Sequence, residues 1–252
     1  APVTARHVPS TACAFLGYDF HLGKDGPQLI EINTNAGGGL LGARLLRAQT
    51  VGRQNERVDG VFPGRLEEAA AVETAFLAMF REEWCLARGA APLTRIAIVD
   101  DSPERQFLYP EFLLFKALFT AAGIETVIAD PRELSLRAGC LWRDELRIDL
   151  VYNRLTDFAL DEPAHAVLRD AWLRDAAVVT PHPYAHALYA DKRNLVALSD
   201  ADWLRSIGAS AADVAVLQAN VPPARRVRPD DADAFWESRR NWFFKPAAGY
   251  AG

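Results

Sequence analysis

Short apolar runs recur along the chain and predict buried strands. Each run is rich in Val, Ile and Leu and ends near turn-forming residues such as Gly, Pro, Asn or Asp. This pattern is typical of strands that are covered on both faces. Strands are predicted at 94–101, 124–130, 149–153, 176–183 and 242–247, and a small hairpin is predicted at 141–148.

Longer stretches carry helical patterns. Residues 64–89 are rich in Ala, Leu and Glu, have an acidic first turn and end on a basic residue and a glycine, which favours one long helix. Ser102 followed by Pro103 predicts the capped start of a helix that ends at 120–123. Further helices are predicted at 163–174, 184–207 and 230–241, and a flexible connector at 220–229.

The pattern near the amino end predicts a β-hairpin. Two runs, 13–22 and 27–34, flank the sequence Gly-Lys-Asp-Gly, and an Asp-Gly pair between β-formers is a hairpin signal. Residues two apart on a strand share a face. Glu31 and Asn33 are therefore expected to project together, with the isoleucines beside Glu31 turned into the core.

The alternation of strand and helix patterns predicts the fold class. It begins near Pro92 and continues to about residue 183. Parallel strands need a crossover connection, which is usually a helix. The alternation therefore predicts an α/β fold with a parallel, Rossmann-like sheet.

Composition and charge narrow the class of protein. The chain has 252 residues, 50% of them hydrophobic, which is enough for one large or two modest domains. A net charge of −5 without a basic stripe argues against nucleic-acid binding. No apolar run approaches the roughly 20 residues that span a bilayer, and no signal-peptide layout is visible, so we expect a cytoplasmic protein without a membrane partner. Cys13, Cys85 and Cys140 are expected to be buried, reduced thiols.

Three oxygen-bearing side chains of the predicted hairpin form a candidate metal site. The turn folds Asp19 back opposite Glu31 and Asn33, so the three side chains converge. Mg²⁺ prefers hard oxygen ligands and keeps substrate phosphates in its coordination shell. An ordinary polar strand end, followed by a glycine turn, is the alternative interpretation.

The last ten residues, FFKPAAGYAG, form a candidate phosphate loop. An apolar strand delivers Lys245 to its end, and the small residues that follow Pro246 include Gly249 and Gly252. Backbone N–H groups of such a loop can face phosphate oxygens, and the lysine adds a point charge. An ordinary exit from a strand into a turn is the alternative.

Other polar positions carry weaker signals. Lys192 follows an aspartate near a helix start and could reach a nucleotide, with a solvated helix charge as the alternative. Arg154 lies past a strand end, where parallel sheets bind ligands, and could hold a substrate carboxylate. A structural salt bridge is the alternative for Arg154. His182 and His186 are four residues apart, but no third zinc ligand accompanies them and Pro183 starts the helix after His182.

Three of these segments together resemble one known family. DFHLGKDGPQLIEINTNAGG resembles the closing metal motif of ATP-grasp ligases, which include D-alanine–D-alanine ligase and glutathione synthetase. In that motif an Asp on one strand precedes a Glu-x-Asn that is followed by small residues and glycine. FFKPAAGYAG resembles the family's Lys-Pro strand and mobile glycine-rich loop, and ADKRNL resembles its earlier Asp-Lys segment.

The order of the motifs differs from the ordinary family order, in which the Glu-x-Asn motif comes last. The chain therefore resembles a circularly permuted ATP-grasp protein, as in relatives of glutathionylspermidine synthetase, and surface termini that lie close together tolerate permutation. The resemblance implies a permuted carboxyl-terminal part of the ATP-grasp domain at 1–90, a Rossmann-like pre-ATP-grasp domain at 91–190 and an incomplete start of the ATP-grasp domain at 191–252. Because the adenine hinge and the family's catalytic arginine do not follow, we expect a fragment that is inactive by itself.

The resemblance implies an ATP-dependent ligase that joins a small-molecule carboxylate to an amine or a thiol through an acyl-phosphate. ATP and Mg²⁺ would be its cofactors. Asp19, Glu31 and Asn33 would hold the metal, Lys192 and Lys245 would bind the phosphates, and the loop at 249–252 would close over them. A non-catalytic Rossmann-like binding module and an ATP-grasp kinase, which stops at phosphoryl transfer, are the alternatives.

Overall fold

A computed structural model describes residues 2–24, 26–53 and 65–247 of the protein. The described chain forms two units, each built from two separate stretches of sequence. We name the first the sheet unit, which lies within Ala1–Leu16 and Asn35–His186, and the second the hairpin unit, which lies within Gly17–Thr34 and Ala187–Gly252. The three-part division implied by the family resemblance stays a prediction.

The described part of the chain contains nine strands and nine α-helices. In chain order the strands are β1 (Gly17–Gly23), β2 (Gly26–Asn33), β3 (Arg95–Val99), β4 (Glu125–Ala129), β5 (Leu134–Arg137), β6 (Cys140–Arg143), β7 (Leu146–Ile148), β8 (Leu150–Asn153) and β9 (Val178–Thr180). The helices are α1 (Gly39–Arg53), α2 (Arg65–Arg88), α3 (Tyr109–Ala121), α4 (Ala166–Leu173), α5 (Pro183–Tyr189), α6 (Asn194–Leu198), α7 (Ala201–Ser206), α8 (Ala211–Asn220) and α9 (Ala232–Glu237). None of these helices is long and apolar enough to cross a bilayer.

A parallel sheet with the strand order β4-β3-β8-β9 organises the sheet unit. Its central strand β3 is buried on both faces, because Ile96 and Ile98 pack in one hydrophobic cluster while Ala97 and Val99 pack in another. Burial on both faces explains why the strand is an unbroken apolar run rather than an alternating one. The predicted α/β class with a parallel sheet is confirmed.

Helices α2 and α3 cover one face of this sheet through aromatic side chains, and α1 adds Leu40 to the same cluster. The ring of Phe80 on α2 lies edge-on to Tyr152 of β8, with 4.8 Å between their centroids, and to Phe119 of α3 at 5.0 Å. Phe115 completes the same cluster. Such edge-to-face pairs fix the orientation of the helices more tightly than aliphatic packing alone.

Helix α4 and a small antiparallel sheet of β5, β6 and β7 cover the other face. Leu168 and Trp172 come from α4, and Leu141 and Ile148 come from the small sheet. The hairpin of β6 and β7 was predicted at 141–148, and the antiparallel pairing confirms it. Strand β5 was not predicted.

Strands β1 and β2 form the antiparallel hairpin after which the hairpin unit is named. Their pairing confirms the hairpin predicted near the amino end of the sequence. Gln28 of β2 donates a side-chain hydrogen bond of 2.8 Å to the Ala219 carbonyl, which ties the hairpin to α8. Helix α8 was not predicted, although the Ser210 side chain accepts from the Asp213 backbone N–H as a conventional N-cap. The predictions at 163–174, 184–207 and 230–241 correspond to short helices.

The prediction that the isoleucines beside Glu31 face the core is wrong for Ile30. A β-bulge interrupts the ladder where Asp19 pairs with Glu31 and Phe20 pairs with Leu29, so that Ile30 has no partner residue. One extra residue reverses which face the following side chains occupy. Leu29 is therefore the buried residue of the strand, and Ile30 is 37% exposed.

Three other boundary predictions are also wrong. Residues 13–16 leave the strand because Cys13 and Phe15 have φ angles of 87° and 59°, in the left-handed region. Ser102 is left-handed and precedes only a 3-10 turn without capping it, and α3 begins at Tyr109. Residues 242–247 form no strand, since no described segment forms a β-ladder with them.

Cys13 is buried, whereas Cys85 is exposed, which contradicts the expectation that Cys85 is a buried thiol.

Candidate functional site

The three predicted metal ligands lie together on the hairpin. The ladder pairs Asp19 with Glu31 directly across β1 and β2, next to the bulge. The Asn33 side-chain amide donates a hydrogen bond of 3.2 Å to Asp19 Oδ2. This bond uses the amide nitrogen, so the amide oxygen, which is the atom that a cation would take, is turned away from Asp19.

Two lysines from the far end of the sequence meet the Glu31 carboxylate. Lys192 Nζ lies 3.0 Å from Glu31 Oε1, and Lys245 Nζ lies 3.0 Å from Glu31 Oε2. Glu31 and Lys245 are 214 positions apart in the chain. The structure therefore brings together, within the hairpin unit, residues from all three of the segments on which the family resemblance depends.

The backbone explains why both lysines point to the same carboxylate. The Lys192 backbone N–H donates a hydrogen bond of 2.9 Å to the Ala247 carbonyl, which joins the Asp-Lys segment to the Lys-Pro segment. Asp191 then accepts from the Arg193 backbone N–H at 2.8 Å and turns the chain into α6. Lys192 is nearly buried, with a side chain that is 9% exposed.

The lysines control the charge of Glu31. Partial burial alone would raise the pKa of this carboxyl, but the hydrogen bonds and positive charges of Lys192 and Lys245 outweigh burial and hold the pKa below its ordinary value. Glu31 is therefore ionised at neutral pH. The anionic carboxylate of Glu31 therefore lies between two ammonium groups.

Two predicted phosphate ligands, Gly249 and Gly252, lie outside the described residues.

The predicted glycine turn after β2 has a packing role in the sheet unit. A methyl group on Gly37 would lie 2.4 Å from a Leu108 side-chain carbon, and one on Gly39 would lie 2.7 Å from ring carbons of Phe15 and Phe76. These glycines allow the start of α1 to pack closely against its neighbours.

The amino terminus of α1 is occupied by a protein carboxylate. Glu111 of α3 is fully buried and accepts backbone N–H bonds of 2.7 Å from Gly38 and 2.9 Å from Leu40. A carboxylate at this position satisfies the first N–H groups and interacts favourably with the helix dipole. This cap requires residues more than 70 positions apart and was not predicted.

Arg154 lies in the sheet unit, where it holds the segment between the hairpin and α1. Its Nη1 atom donates hydrogen bonds to the Asn35 side chain and, at 2.6 Å, to the Ala36 carbonyl. The guanidinium also lies 5.4 Å from the ring centroid of Tyr152. Within the described residues Arg154 forms no ion pair, so the alternative of a structural salt bridge has no support there. Its role toward a substrate stays a prediction.

A group of polar side chains that was not predicted lies at the carboxyl edge of the parallel sheet. His165 is buried, with Nδ1 2.8 Å from Asp157 Oδ2 and Nε2 3.0 Å from Asp101 Oδ2. Asp101 follows β3 directly, and Asp157 follows β8. Acidic residues after two neighbouring strand runs were the available signal in the sequence, but nothing local pointed to His165 as their partner.

Two groups at this edge, Asp100 and His165, have raised pKa values for different reasons. Burial raises the pKa of Asp100 to about 6, and the nearby Arg154 charge reduces this effect only in part. Burial would lower the pKa of His165, but its hydrogen bonds to Asp157 and Asp101 prevail and raise it. The edge therefore holds two groups, Asp100 and His165, whose pKa values are both raised above the ordinary values.

The two histidines considered for zinc have separate packing roles. The His182 ring stacks on Trp172 with 5.1 Å between centroids, and its Nδ1 atom accepts from the Ala185 backbone N–H. Burial lowers the pKa of His182 to about 4, which keeps the ring neutral. The His186 ring stacks instead on Phe158 at 3.9 Å. The expectation that they do not form a zinc site stays a prediction.

No protein-family profile matches the chain, and no curated protein is significantly similar to it.

Proposed function

We propose that the protein is an ATP-dependent ligase of the ATP-grasp type, which joins a small carboxylic acid to an amine or a thiol. The observation that carries this proposal is the contact of Lys192 and Lys245 with the two oxygens of Glu31, each at 3.0 Å. A cleft that binds a nucleotide triphosphate with a metal needs carboxylates and ammonium groups at one location. The hairpin unit has both.

The parallel sheet supports the same proposal at the level of the fold. In the ATP-grasp group that the sequence resembles, a Rossmann-like domain accompanies the nucleotide-binding elements. Strands β3, β4, β8 and β9 are all parallel, and helices cover the sheet. We therefore propose that the sheet unit corresponds to a pre-ATP-grasp domain.

The donor set fits Mg²⁺. Asp19 and Glu31 supply two carboxylates, and Asn33 would add its amide oxygen after its side chain rotates by half a turn and gives up the hydrogen bond to Asp19; these are hard ligands of the kind that Mg²⁺ prefers. The three residues sit on adjacent strands, which hold ligand atoms more rigidly than a loop. When bound, Mg²⁺ neutralises negative charge on phosphate oxygens.

The two lysines would neutralise the phosphate chain from the other side. Lys192 and Lys245 are held by Glu31 with their ammonium groups close together, so their positive charges are oriented before a nucleotide arrives. Oriented charges stabilise a transition state without reorganisation during the reaction. Phosphate oxygens would take over the contacts of the lysines, and Glu31 would turn to the metal.

The reaction we propose has two steps. An oxygen of the substrate carboxylate attacks the γ-phosphorus of ATP, the bond from phosphorus to the β–γ bridging oxygen breaks, and ADP leaves. The nitrogen or sulfur nucleophile then attacks the carbonyl carbon of the acyl-phosphate, loses its proton and expels inorganic phosphate. The chain contributes mainly position and charge, which is what phosphoryl transfer requires.

Trapping the acyl-phosphate tests this proposal. The full-length protein is incubated with ATP, Mg²⁺, a panel of small carboxylic acids and hydroxylamine, which converts an acyl-phosphate to a hydroxamate. We expect hydroxamate and ADP in equal amounts with at least one acid. Glu31→Gln is expected to lower this rate at least ~100-fold, because a metal ligand and the counter-charge of two lysines are lost. Its thermal unfolding midpoint is measured alongside and should fall only moderately, because the pair with the partly exposed Lys245 is worth about 1 kcal/mol and the glutamine oxygen still accepts a hydrogen bond from the nearly buried Lys192.

Lys24→Met is the matched control, because Lys24 is an exposed lysine at the turn of the same hairpin. It lies about 16 Å along the strand from Glu31 at a rise of about 3.3 Å per residue. This variant is expected to keep the wild-type rate. Turnover by Glu31→Gln at the wild-type rate would remove the metal assignment, and a stable phosphorylated product without hydroxamate would identify a kinase.

A further inference from the structure

The carboxyl edge of the parallel sheet carries a second group of ligand-type side chains, separate in chemistry from the hairpin carboxylates. The chain adds β4 on one side of β3 and then crosses over to add β8 on the other side. The order in which parallel strands are added therefore reverses between β3 and β8. Such a reversal leaves a crevice beyond the strand ends, which is where open α/β sheets bind ligands. Asp101 follows β3 at this point.

Three side chains at this edge present ligand atoms to one another. One oxygen of Asp101, one oxygen of Glu162 and a ring nitrogen of His165 all lie within 4.8 Å of one another. His165 Nε2 and Asp101 Oδ2 are 3.0 Å apart. Two atoms that are each about 2.1 Å from an ion and about 90° apart also lie about 3.0 Å from each other. In the structure these two atoms share a hydrogen bond, and a small cation that replaced the proton between them would find them spaced as neighbouring ligands.

The opposite side of the imidazole is held as it is in metal centres. His165 Nδ1 lies 2.8 Å from Asp157 Oδ2, and the same oxygen accepts the Glu162 backbone N–H at 2.9 Å. A carboxylate that binds the far ring nitrogen of a ligating histidine fixes the orientation of the ring and makes it a stronger ligand. Asp157 thereby orients both His165 and the backbone that carries Glu162.

An unsatisfied oxygen provides an independent sign of a missing partner. Asp101 Oδ1 is itself enclosed and accepts no hydrogen bond from the described residues, although the Asp101 side chain as a whole is 38% exposed. The nearest described cation, Arg132 Nη2, lies 3.8 Å away, beyond hydrogen-bond range, and Arg132 is instead paired with Asp130 at 3.0 Å. Enclosed carboxylate oxygens without a partner are costly, and a bound cation removes that cost.

We propose that Asp101, Glu162 and His165 bind a divalent first-row transition metal at the reversal point between β3 and β8. One imidazole nitrogen with two carboxylates suits Mn²⁺, Fe²⁺ or Zn²⁺ better than the all-oxygen sites that Mg²⁺ prefers. Three protein ligands leave coordination positions for water or a substrate, as in catalytic rather than structural metal sites. This site goes beyond the proposed ligase function and does not depend on it.

Titration of the metal-free protein with Mn²⁺ and, separately, with Zn²⁺ at pH 7.5 tests the proposal. Glu162 is exposed, so Glu162→Gln should fold normally and raise the Kd of the site at least ~10-fold. Glu104→Gln, which changes an exposed glutamate outside the group, is the control and should bind as the wild type does. Equal affinity of the wild type and Glu162→Gln, or no binding by the wild type up to about 1 mM, would overturn the proposal.

Paramagnetic broadening separates this site from the hairpin carboxylates. We expect substoichiometric Mn²⁺ to broaden the amide signals of Asp101, Glu162 and His165 first. Broadening centred on Asp19 and Glu31 instead would assign the bound metal to the hairpin and refute a site at the sheet edge. Because this readout is independent of ATP turnover, failure of the ligase proposal leaves its outcome unaffected.

Discussion

At the scale of single residues, buried carboxylates hold distant parts of the sheet unit together. Glu83 of α2 is almost fully buried and accepts backbone N–H bonds from Ala12 at 2.9 Å and Cys13 at 3.1 Å. It also accepts the Thr180 hydroxyl at 2.7 Å. These three donors offset the cost of burying the carboxylate only in part, because burial removes the solvation of both oxygens.

The first prediction concerns the pH dependence of Glu83. Burial raises the pKa of this carboxyl above its ordinary value of 4.5, and this outweighs the Thr180 and backbone hydrogen bonds. The stability that the protonated group contributes is therefore fully present below pH 4.5 and is lost as pH rises through the raised pKa. Glu83→Gln does not titrate, so the wild type should lose stability relative to the variant across that range.

Urea unfolding from pH 4 to pH 8 measures this difference. At pH 7 the variant should be less stable by about 1 to 3 kcal/mol, because its amide nitrogen faces N–H donors. The difference in unfolding free energy between wild type and variant should be larger at pH 4. A difference that grows with increasing pH would contradict the direction of the pKa shift.

Residue-level predictions succeeded where chemistry was local and stayed incomplete where it was not. Glu31 and Asn33 could be paired from strand periodicity, and a turn signal supplied Asp19. The family resemblance implied that Glu31, Lys192 and Lys245 serve a common site, but their direct contact was not predicted, because no local pattern links segments so far apart. Neither a local pattern nor the resemblance indicated that Glu111 caps the start of α1.

At the scale of elements, α1 illustrates why a helix can escape prediction. It begins in a run of glycines, which are poor helix formers, and carries another glycine at position 42. Tertiary contacts compensate, since Glu111 caps its amino terminus and Leu40 is fully buried. The strand predicted at 242–247 failed for the converse reason. Its apolar residues have strand propensity, but a strand also needs a neighbour.

Two glycine substitutions in α1 give the second prediction. A methyl group on Gly39 would lie 2.7 Å from ring carbons of Phe15 and Phe76, whereas one on Gly42 meets no atom within 4 Å. Gly39→Ala should therefore destabilise the protein by about 1 to 3 kcal/mol through overpacking. Gly42→Ala should leave stability unchanged or increase it by about 0.5 to 1 kcal/mol, since alanine favours a helix interior.

Thermal or denaturant unfolding of the two variants checks this pair. Both substitutions add one methyl group within the same helix, so their comparison isolates packing from helix propensity. Equal effects of Gly39→Ala and Gly42→Ala would show that close packing does not explain the glycine run.

At the scale of the whole molecule, the α/β class followed from the alternation of apolar strand runs and helices. The runs around β3 and β8 were readable because strands buried on both faces are continuously apolar. The sequence did not indicate which segments belong to which of the two units. The hairpin at 17–34 belongs with residues after 187, because side chains on the late segments contact it, and such pairing leaves no sequence period.

Hydrogen exchange gives a prediction at this scale. Strand β3 is bonded to β4 and β8 on its two sides and has fully buried side chains, whereas β1 has β2 as its described partner and many exposed residues. The amides of Ile96–Val99 should exchange at least ~100-fold more slowly than those of β1, because their exchange requires more extensive unfolding. Equal protection of the two strands, measured by mass spectrometry, would contradict this account of the core.

The central claim is that the hairpin carboxylates and the two late lysines form one site for a triphosphate with Mg²⁺. Calorimetric titration of the full-length protein with Mg²⁺–ATP, comparing wild type with Lys192→Met, Lys245→Met and the turn variant Lys24→Met, tests it most directly. Removing either lysine that contacts Glu31 should raise the Kd at least ~10-fold, since each loses a charge-assisted phosphate contact, while Lys24→Met should bind as wild type does. Unchanged affinity in both contact-lysine variants would contradict the claim.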